Sequence, residues 1–316
     1  PIHRVDIRQQ STGLYLMDSV ALTDSTLVTA GVRHEWVYTR AADQYDPAAP
    51  TVPCCGDAEA EPFDISQRAD IWNVGLRQNL SDSLSVFANA ERSARFASVD
   101  EFFELDPNLF VSSLDPLEVQ TGTLYSAGAR WQRQGYRAVL TAWRGDFRNE
   151  IHYDANAFEN VNLDPTRRYG VSLNTRWPLL EMLTLTLNGS YQRAQFSKGV
   201  YEDNEVPLVP RQTAYGRLDY EPFSWLSLSL AQRYVGRRYF DNDQSNSFGE
   251  RIPSYRRSDA EIEARFADGF WLRGGVYNLE DKIVFDYGVS STFSPGVYSA
   301  YPLPDRHLML SMGADW

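Results

Sequence analysis

Apolar and polar residues alternate with a period of two along most of this chain, the spacing at which successive side chains point to opposite faces of a strand. Leu183, Leu185 and Leu187 alternate with Thr184, Thr186 and Asn188, and Leu226, Leu228 and Leu230 with Ser227, Ser229 and Ala231. Ala260, Ile262, Ala264 and Phe266 oppose Asp259, Glu261, Glu263 and Arg265. With the turn signals between such runs, the pattern predicts thirteen strands at roughly 9–22, 26–40, 66–80, 84–95, 117–133, 136–153, 167–177, 183–196, 209–220, 225–240, 254–266, 270–287 and 303–316. The polar face is heavily charged, which suits a water-filled or plugged lumen better than a sandwich core.

Connection lengths alternate as well. Short turns lie around Asp24-Ser25, Ser81-Asp82-Ser83, Gln134-Gly135, Pro178 to Met182, Glu221 to Ser224 and Ala267-Asp268-Gly269. Long loops rich in acidic residues, Asn or Pro lie at about 41–65, 96–116, 154–166, 197–208, 241–253 and 288–302. Short periplasmic turns and long outer loops characterise outer-membrane barrels, whereas a soluble sandwich has no reason to sort its loops by parity. The predicted fold class is therefore all-β, a transmembrane antiparallel β-barrel. Closed bacterial barrels have an even number of strands, so thirteen strands are expected to be the C-terminal portion of something larger. At about 24 residues per strand, a 22-stranded barrel needs roughly 530 residues, of which about nine strands would precede this chain. Residues 1–316 are then expected to be one portion of one barrel domain, with no second domain.

The closing segment fits this picture. Leu308, Leu310, Met312, Ala314 and Trp316 share one face, with Met309, Ser311, Gly313 and Asp315 on the other. An apolar face ending on an aromatic suits a strand that meets lipid, with Trp316 in the interfacial girdle. Leu308, Leu310, Met312 and Trp316 are the candidate recognition signal for the outer-membrane assembly machinery.

Composition narrows the function classes. Aromatics make up 13% of 316 residues, yet mean hydropathy is −0.43, and the absence of any run of about 20 apolar residues excludes a helical membrane protein. A net charge of −12 argues against a nucleic-acid partner, because phosphate binding needs a basic footprint. The only cysteines, Cys54 and Cys55, are adjacent in a loop and lack disulfide-framework or metal-ligand spacing. His3, His34, His152 and His307 are scattered without ligand spacing. No metal site and no cofactor are expected.

Nor does the chain carry a nucleophile motif. Asp259, Glu261 and Glu263 could pair carboxylates for acid/base work, but like charges on one face need nearby partners, and Arg265 with neighbouring strands can supply them. A solvated lumenal face is the reading adopted, and the protein is not expected to be an enzyme. Binding candidates are aromatic and arginine residues near the outer strand ends: Tyr153, Tyr201, Arg237, Arg238 and Tyr239, with Phe240 beside them. Arginine next to aromatics suits an anionic, partly aromatic chelate, and equally suits a collar against lipid headgroups and lipopolysaccharide. Asp241, Asn242 and Asp243 could hold a cation such as Ca²⁺ or simply be solvated.

Several stretches, in order, carry a resemblance: QQSTGLYLMDSVALTDSTLVTAGVRHEW, ERSARFASVDEFFE, LEVQTGTLYSAGARW, NVNLDPTRRYGVSLNTRW, VPLVPRQTAYGRLDYEP, YVGRRYFDNDQSNSFGERIPSYRRSDAEIEARF, and GVYNLEDKIVF with PDRHLMLSMGADW. Together they resemble the barrel domain of TonB-dependent outer-membrane receptors over nearly the whole chain. The resemblance implies a 22-stranded barrel, plugged by an N-terminal globular domain, in the outer membrane of a Gram-negative bacterium. It implies import of a metal chelate, most commonly a ferric siderophore, with haem or cobalamin as other cargoes of the family, driven through TonB, ExbB and ExbD. The plug and TonB box are absent from these residues, and the final residue is Trp where Phe is usual. A passive porin or barrel-anchored adhesin is the alternative function; a soluble β-rich binding module is a third.

Overall fold

In the computed structural model the described residues are 4–44, 46, 48, 60–105, 112–154, 158–266, 269–291 and 294–314. Cys54-Cys55, His3 and Trp316 lie outside them. Among the described residues thirteen long strands form one antiparallel sheet in chain order. They are β1 (Val5–Thr23), β2 (Thr26–Asp43), β3 (Phe63–Asn79), β4 (Leu84–Arg95), β5 (Gln120–Arg133), β6 (Tyr136–Arg148), β7 (Thr166–Leu180), β8 (Leu183–Phe196), β9 (Gln212–Phe223), β10 (Leu226–Val235), β11 (Tyr255–Arg265), β12 (Phe270–Tyr277) and β13 (His307–Ala314). Each pairs with its neighbours in sequence, and β1 and β13 occupy the two edges.

Register joins the alternating positions into two continuous faces. Leu173 sits opposite Leu140, Leu185 opposite Leu218, Leu218 opposite Leu230, Leu230 opposite Ala260, Ala260 opposite Val276, and Val276 opposite Leu308. Because the side-chain period is two, a slip of one residue at any pairing would put that strand's leucines on the charged side. The apolar face remains open: Leu308, Leu310 and Met312 are 78%, 76% and 83% exposed. Aromatic residues gather at its short-turn end, where Tyr136 lies 6.3 Å from Trp131 and 6.4 Å from Trp177, and Phe223 stacks on Trp225 at 5.6 Å. Amphipathic rings at one level of an apolar face form the girdle expected at a membrane interface.

The short turns are built for tight reversal. Arg133 pairs with Tyr136 across two residues, Gln134 and Gly135, both with positive φ (51° and 85°), the geometry of a two-residue hairpin whose twist matches its strands. Glycine makes the second of these positions sterically free.

Several strands end earlier than alternation predicts. The run through 136–153 stops at Arg148, where Asn149 takes a φ of 56°, and Ile151–Asp154 then pairs with Glu159–Asn162 as a separate hairpin. The run through 270–287 stops at Tyr277; Asn278 and Asp281 take φ of 58° and 52°, and Phe285–Ser290 forms a hairpin with Tyr298–Pro302 inside the supposed loop at 288–302. The run 225–240 stops at Val235. Alternation continues through these breaks, so periodicity alone does not register them; the left-handed turns at Asn and Asp do. A third small hairpin pairs Phe103–Leu105 with Ser112–Leu114.

The buried apolar clusters sit at the long-loop end, where loops pack on strand ends. Ala97, Phe102 and Leu117 form one buried cluster against Ile7, Phe63, Ile65 and Ile151; Ala41, Ala60 and Leu114 form another; Ala194, Phe196 and Val206 form a third. These clusters join the loops to the strands that carry them.

Candidate ligand-binding site at the long-loop end

The charged face is satisfied by its own arginines. Arg217 bonds Asp219 at 2.7 Å, Glu261 at 3.2 Å and the Ser229 hydroxyl at 2.8 Å. Arg265 and Arg273 both bond Glu263, the former at 2.8 Å. Tyr277 donates to Glu261 at 2.8 Å, and Asp259 accepts the Asn278 amide at 2.9 Å. The carboxylates at 259, 261 and 263 are thus held in a compensated wall, as the sequence reading expects, and no convergent acid and base emerge from them. Glu261 and Glu263 border a cleft of about 560 Å³ at the short-turn end.

At the other end of the sheet, loops 197–211, 236–253 and 279–302 are stitched into one body. Asn246 donates to the Glu205 carbonyl at 2.9 Å and accepts the Glu205 amide at 2.7 Å; Asn204 donates to the Gln244 carbonyl at 3.0 Å. The Asp241 amide bonds the Gly288 carbonyl at 2.9 Å, and the Tyr287 hydroxyl donates to the Asp241 carboxylate at 2.7 Å. Phe240 fills the joint, its ring 4.5 Å from Tyr298, 5.3 Å from Phe248 and 6.4 Å from Phe285. His152 Nε2 stands 3.4 Å from Asp241 Oδ1, bringing the 151–162 hairpin against the same body.

Of the residues singled out from sequence, Arg238 lies inside this body, 3% exposed. Its guanidinium donates to the carbonyls of Phe285 (3.1 Å) and Asp286 (2.9 Å) and to the Asp286 carboxylate (2.8 Å). Burial pulls its pKa below the ordinary arginine value, against the opposing pull of Asp286; it works as the pin that holds the 285–302 hairpin. Tyr287 is pushed above the usual tyrosine range, by burial and then by its bond to Asp241. The residue before Arg238, Arg237, is exposed. Tyr239 carries the Arg251 guanidinium 4.1 Å above its ring and also bonds it, while its carbonyl accepts the Leu208 amide at 3.0 Å. Tyr201 is exposed at a turn and packs on Phe196 at 5.7 Å. Tyr153 is exposed on its hairpin, its pKa raised by burial and by Glu104 and Asp154.

The structure therefore gathers Tyr201, Arg237 and Tyr239 on neighbouring loops, and His152 ties Tyr153's hairpin to them. Arg251, twelve residues beyond Tyr239, joins the group without a sequence signal, because its partner is chosen by loop folding. Within 241–243, Asp243 Oδ1 accepts the amides of Ser247 (2.8 Å) and Phe248 (3.2 Å), and Asp241 Oδ1 accepts the Asn242 amide (3.1 Å). Among the described residues no group of three or more His, Cys, Asp or Glu is placed to hold a metal ion.

A thirteen-stranded sheet with an apolar outer face, a charged inner face and elaborate loops at one end has counterparts. The family model for TonB dependent receptor-like β-barrels matches residues 3–279. The chain belongs to this family. Among curated TonB-dependent relatives it is 22% identical over 308 residues to the probable TonB-dependent siderophore receptor PiuA of Acinetobacter baumannii, covering 92% of this chain and 39% of PiuA. It is 25% identical over 214 residues to the ferric enterobactin receptor PirA of Pseudomonas aeruginosa, covering 62% of this chain and 28% of PirA. The chain thus spans well under half the length of either relative. The fold agrees with the solved barrel of PiuA (TM-score 0.77, 17% identity, 98% of this chain and 43% of that one). It agrees equally with the ferric yersiniabactin uptake receptor FyuA of Yersinia pestis (TM-score 0.78, 18% identity, 99% and 47%).

Proposed function

We propose that this chain is the C-terminal portion of the single barrel domain of an outer-membrane receptor of a Gram-negative bacterium, which imports a metal chelate, most simply a ferric siderophore, with energy relayed by TonB, ExbB and ExbD. The observation that carries the reading is the combination of an open apolar outer face, a compensated charged inner face and a folded loop body at one end, in a chain of this family. The remaining strands of a 22-stranded barrel and the plug belong to the parent protein.

Its work is binding rather than bond-making. Arg237, Tyr239, Tyr201 and Tyr153 present cationic and aromatic groups for an anionic, aromatic-rich chelate, and Arg238 keeps the loops that carry them in place. The relatives' names support an iron chelate: PiuA is a siderophore receptor, PirA takes ferric enterobactin and FyuA ferric yersiniabactin. Leu308, Leu310 and Met312 on β13, with Trp316 beyond the described residues, serve as the recognition signal for the assembly machinery. The reading is tested by deleting the parent gene and following uptake of labelled ferric catecholates, ferric hydroxamates, haem and cobalamin separately. Loss of one cargo is expected; unchanged uptake of all of them leaves a passive porin or an adhesin.

A further inference from the structure

The loops at the long-loop end form two units. One is cored on Phe102, with Ala97 and Leu117 buried beside it and Ile151 packed against them. The 151–162 hairpin is tied into this unit by Asn162, which donates to the Glu118 carbonyl at 3.1 Å, and by Asn160, which donates to the Glu104 carboxylate. The other unit is the body cored on Phe240. Just before β7 the two are joined by contacts that carry no histidine: the Pro165 carbonyl accepts the Ser197 amide at 2.7 Å, Asp164 accepts the Val200 amide at 3.2 Å, and Leu163 packs against the Phe196 cluster.

The other leg of the hairpin meets the body through a titratable pair. Ile151 joins the Phe102 core, and alternation turns the next residue, His152, to the opposite side, where its Nε2 stands 3.4 Å from Asp241 Oδ1. Nε2 is shielded from solvent and has no hydrogen-bond partner among the described residues. The two side chains are only 22% and 10% exposed, so their attraction is screened far less than that of a surface pair. Asp241 is itself fixed: the Tyr287 hydroxyl donates to its Oδ2 at 2.7 Å, the Asn242 amide to its Oδ1 at 3.1 Å, and its carbonyl accepts the Ser290 amide at 3.1 Å. On His152's side of the hairpin the further titratable groups are Asp154 and Glu159, which pair with each other. Tyr153 lies on the reverse side, opposite Asn160 and its partner Glu104, and Glu150 at the base is bonded by Thr166 and Arg168. With Arg168 held by Glu150, the group that can bring a positive charge to Asp241 is His152.

We propose that His152 and Asp241 form a pH-sensitive latch between the two loop units, closed when the imidazole is protonated and released when it is neutral. An imidazole ordinarily changes charge between about pH 5 and 8. The imidazolium carries N–H on both ring nitrogens, so Nε2 gains a charge-assisted hydrogen bond to a carboxylate that is already held in place. The neutral ring loses that attraction, and with its proton on Nδ1 it turns a lone pair toward Asp241. The units then remain joined at 163–165 while the contact at His152 opens. Because the hairpin carries Tyr153 and the body carries Arg237 and Tyr239, the latch also sets the gap between candidate ligand-binding groups; that consequence alone rests on the receptor reading above.

The experiment follows hydrogen exchange of the full-length protein in detergent from about pH 8 to about pH 5, read as protection factors, which remove the intrinsic pH dependence of exchange. Protection at 241–243 and 286–290 should rise by about tenfold as pH falls, while amides of β5 to β8 keep theirs. His152→Gln and Asp241→Asn should each remove the rise. His152→Lys, positive throughout the range, should hold protection high at both ends, an outcome that a packing role for the ring does not give. Glu104→Gln should leave the rise intact, which separates the latch from the carboxyls of the neighbouring hairpin. Heat-modifiable electrophoretic mobility confirms that each variant is folded. Wild-type protection that stays constant across the range, a His152→Gln variant that keeps the rise, or a His152→Lys variant no better protected than His152→Gln overturns the latch. The readout needs no chelate, so a protein that shows the latch and takes up no chelate overturns the receptor reading and leaves the latch standing.

Discussion

Two sectors of the sheet use arginine in opposite ways. In β9 to β12, Arg217, Arg265 and Arg273 lie on the charged inner face, each against carboxylates: Arg217 with Asp219 and Glu261, Arg273 and Arg265 with Glu263. On β6 to β8, Arg144, Arg167 and Arg193 lie on the outer face, where Arg144 and Arg167 divide one Asp146 between them and Arg193 Nε has no hydrogen-bond partner among the described residues. The strands are alike in alternation and pairing, so the difference is not one of fold. Arginines already neutralised by their neighbours stiffen a wall. On the apolar side, only the Arg193 Nε donor of these three arginines is left unused among the described residues.

Moving an arginine onto the wrong face should give the largest effect. Leu230→Arg puts a charge in the middle of the apolar face of β10 and is expected to destabilise the folded barrel by about 2–4 kcal/mol, whereas Ser227→Arg, facing the lumen opposite Glu263 beside the open cleft, should cost under about 1 kcal/mol. Urea titration of the full-length protein in lipid vesicles measures both, and equal costs would dissolve the distinction between the faces.

Arg238→Met removes a guanidinium that belongs to neither face. It takes a donor from the Phe285 and Asp286 carbonyls and from the Asp286 carboxylate, which keeps only the Tyr255 hydroxyl, at a local cost of about 1–3 kcal/mol. Hydrogen exchange should quicken in the 285–302 hairpin while amides of β5 to β8 keep their protection; uniform quickening would show that the loop body is not a separate unit. Next, Arg217→Ala should cost about 1–2 kcal/mol by releasing Asp219, Glu261 and Ser229 together, a range held low by the partial exposure of the site. Arg144→Ala should shift stability by under about 0.5 kcal/mol. If the order reverses, the outer arginines are structural and the inner ones are not.

The smallest effect concerns carboxyls that found no arginine. Glu104 and Glu159, on neighbouring loop hairpins, are both raised above the usual glutamate pKa, chiefly by burial, with added repulsion from Asp115 for both and from Asp154 for Glu159. A raised folded-state value means that the native loops bind protons more tightly than the unfolded chain. Their contribution is full below the ordinary glutamate value near 4.3 and falls as pH rises through the raised folded value. Protection of the 103–114 and 151–162 hairpins should accordingly increase as pH falls through that window, and Glu104→Gln should remove part of the increase.

Much of this was legible in the residues. Alternation located all thirteen long strands, and Asp259, Glu261 and Glu263 pointed to a charged face that needed arginine partners. Strand ends were less legible, because the alternation of 149–153 and 278–287 runs on through Asn149 and Asn278, whose left-handed backbones begin separate hairpins. Among the candidate binding residues, Arg237 and Arg238 are indistinguishable in sequence, yet one is exposed and the other is enclosed by residues nearly fifty positions away. The outer row that register makes of Tyr125, Arg144, Tyr169 and Arg193 was equally hidden: its members come from four strands, and nothing local marks them as neighbours.

The sequence by itself determined the elements, their two faces and the parity of their connections, because a period of two and the chemistry of turns are local properties of the chain. Tertiary structure alone decided which arginines spend their charge on this protein and which keep it. Register and loop packing bring together side chains that are far apart in sequence, and the worth of a charge depends on what stands opposite it.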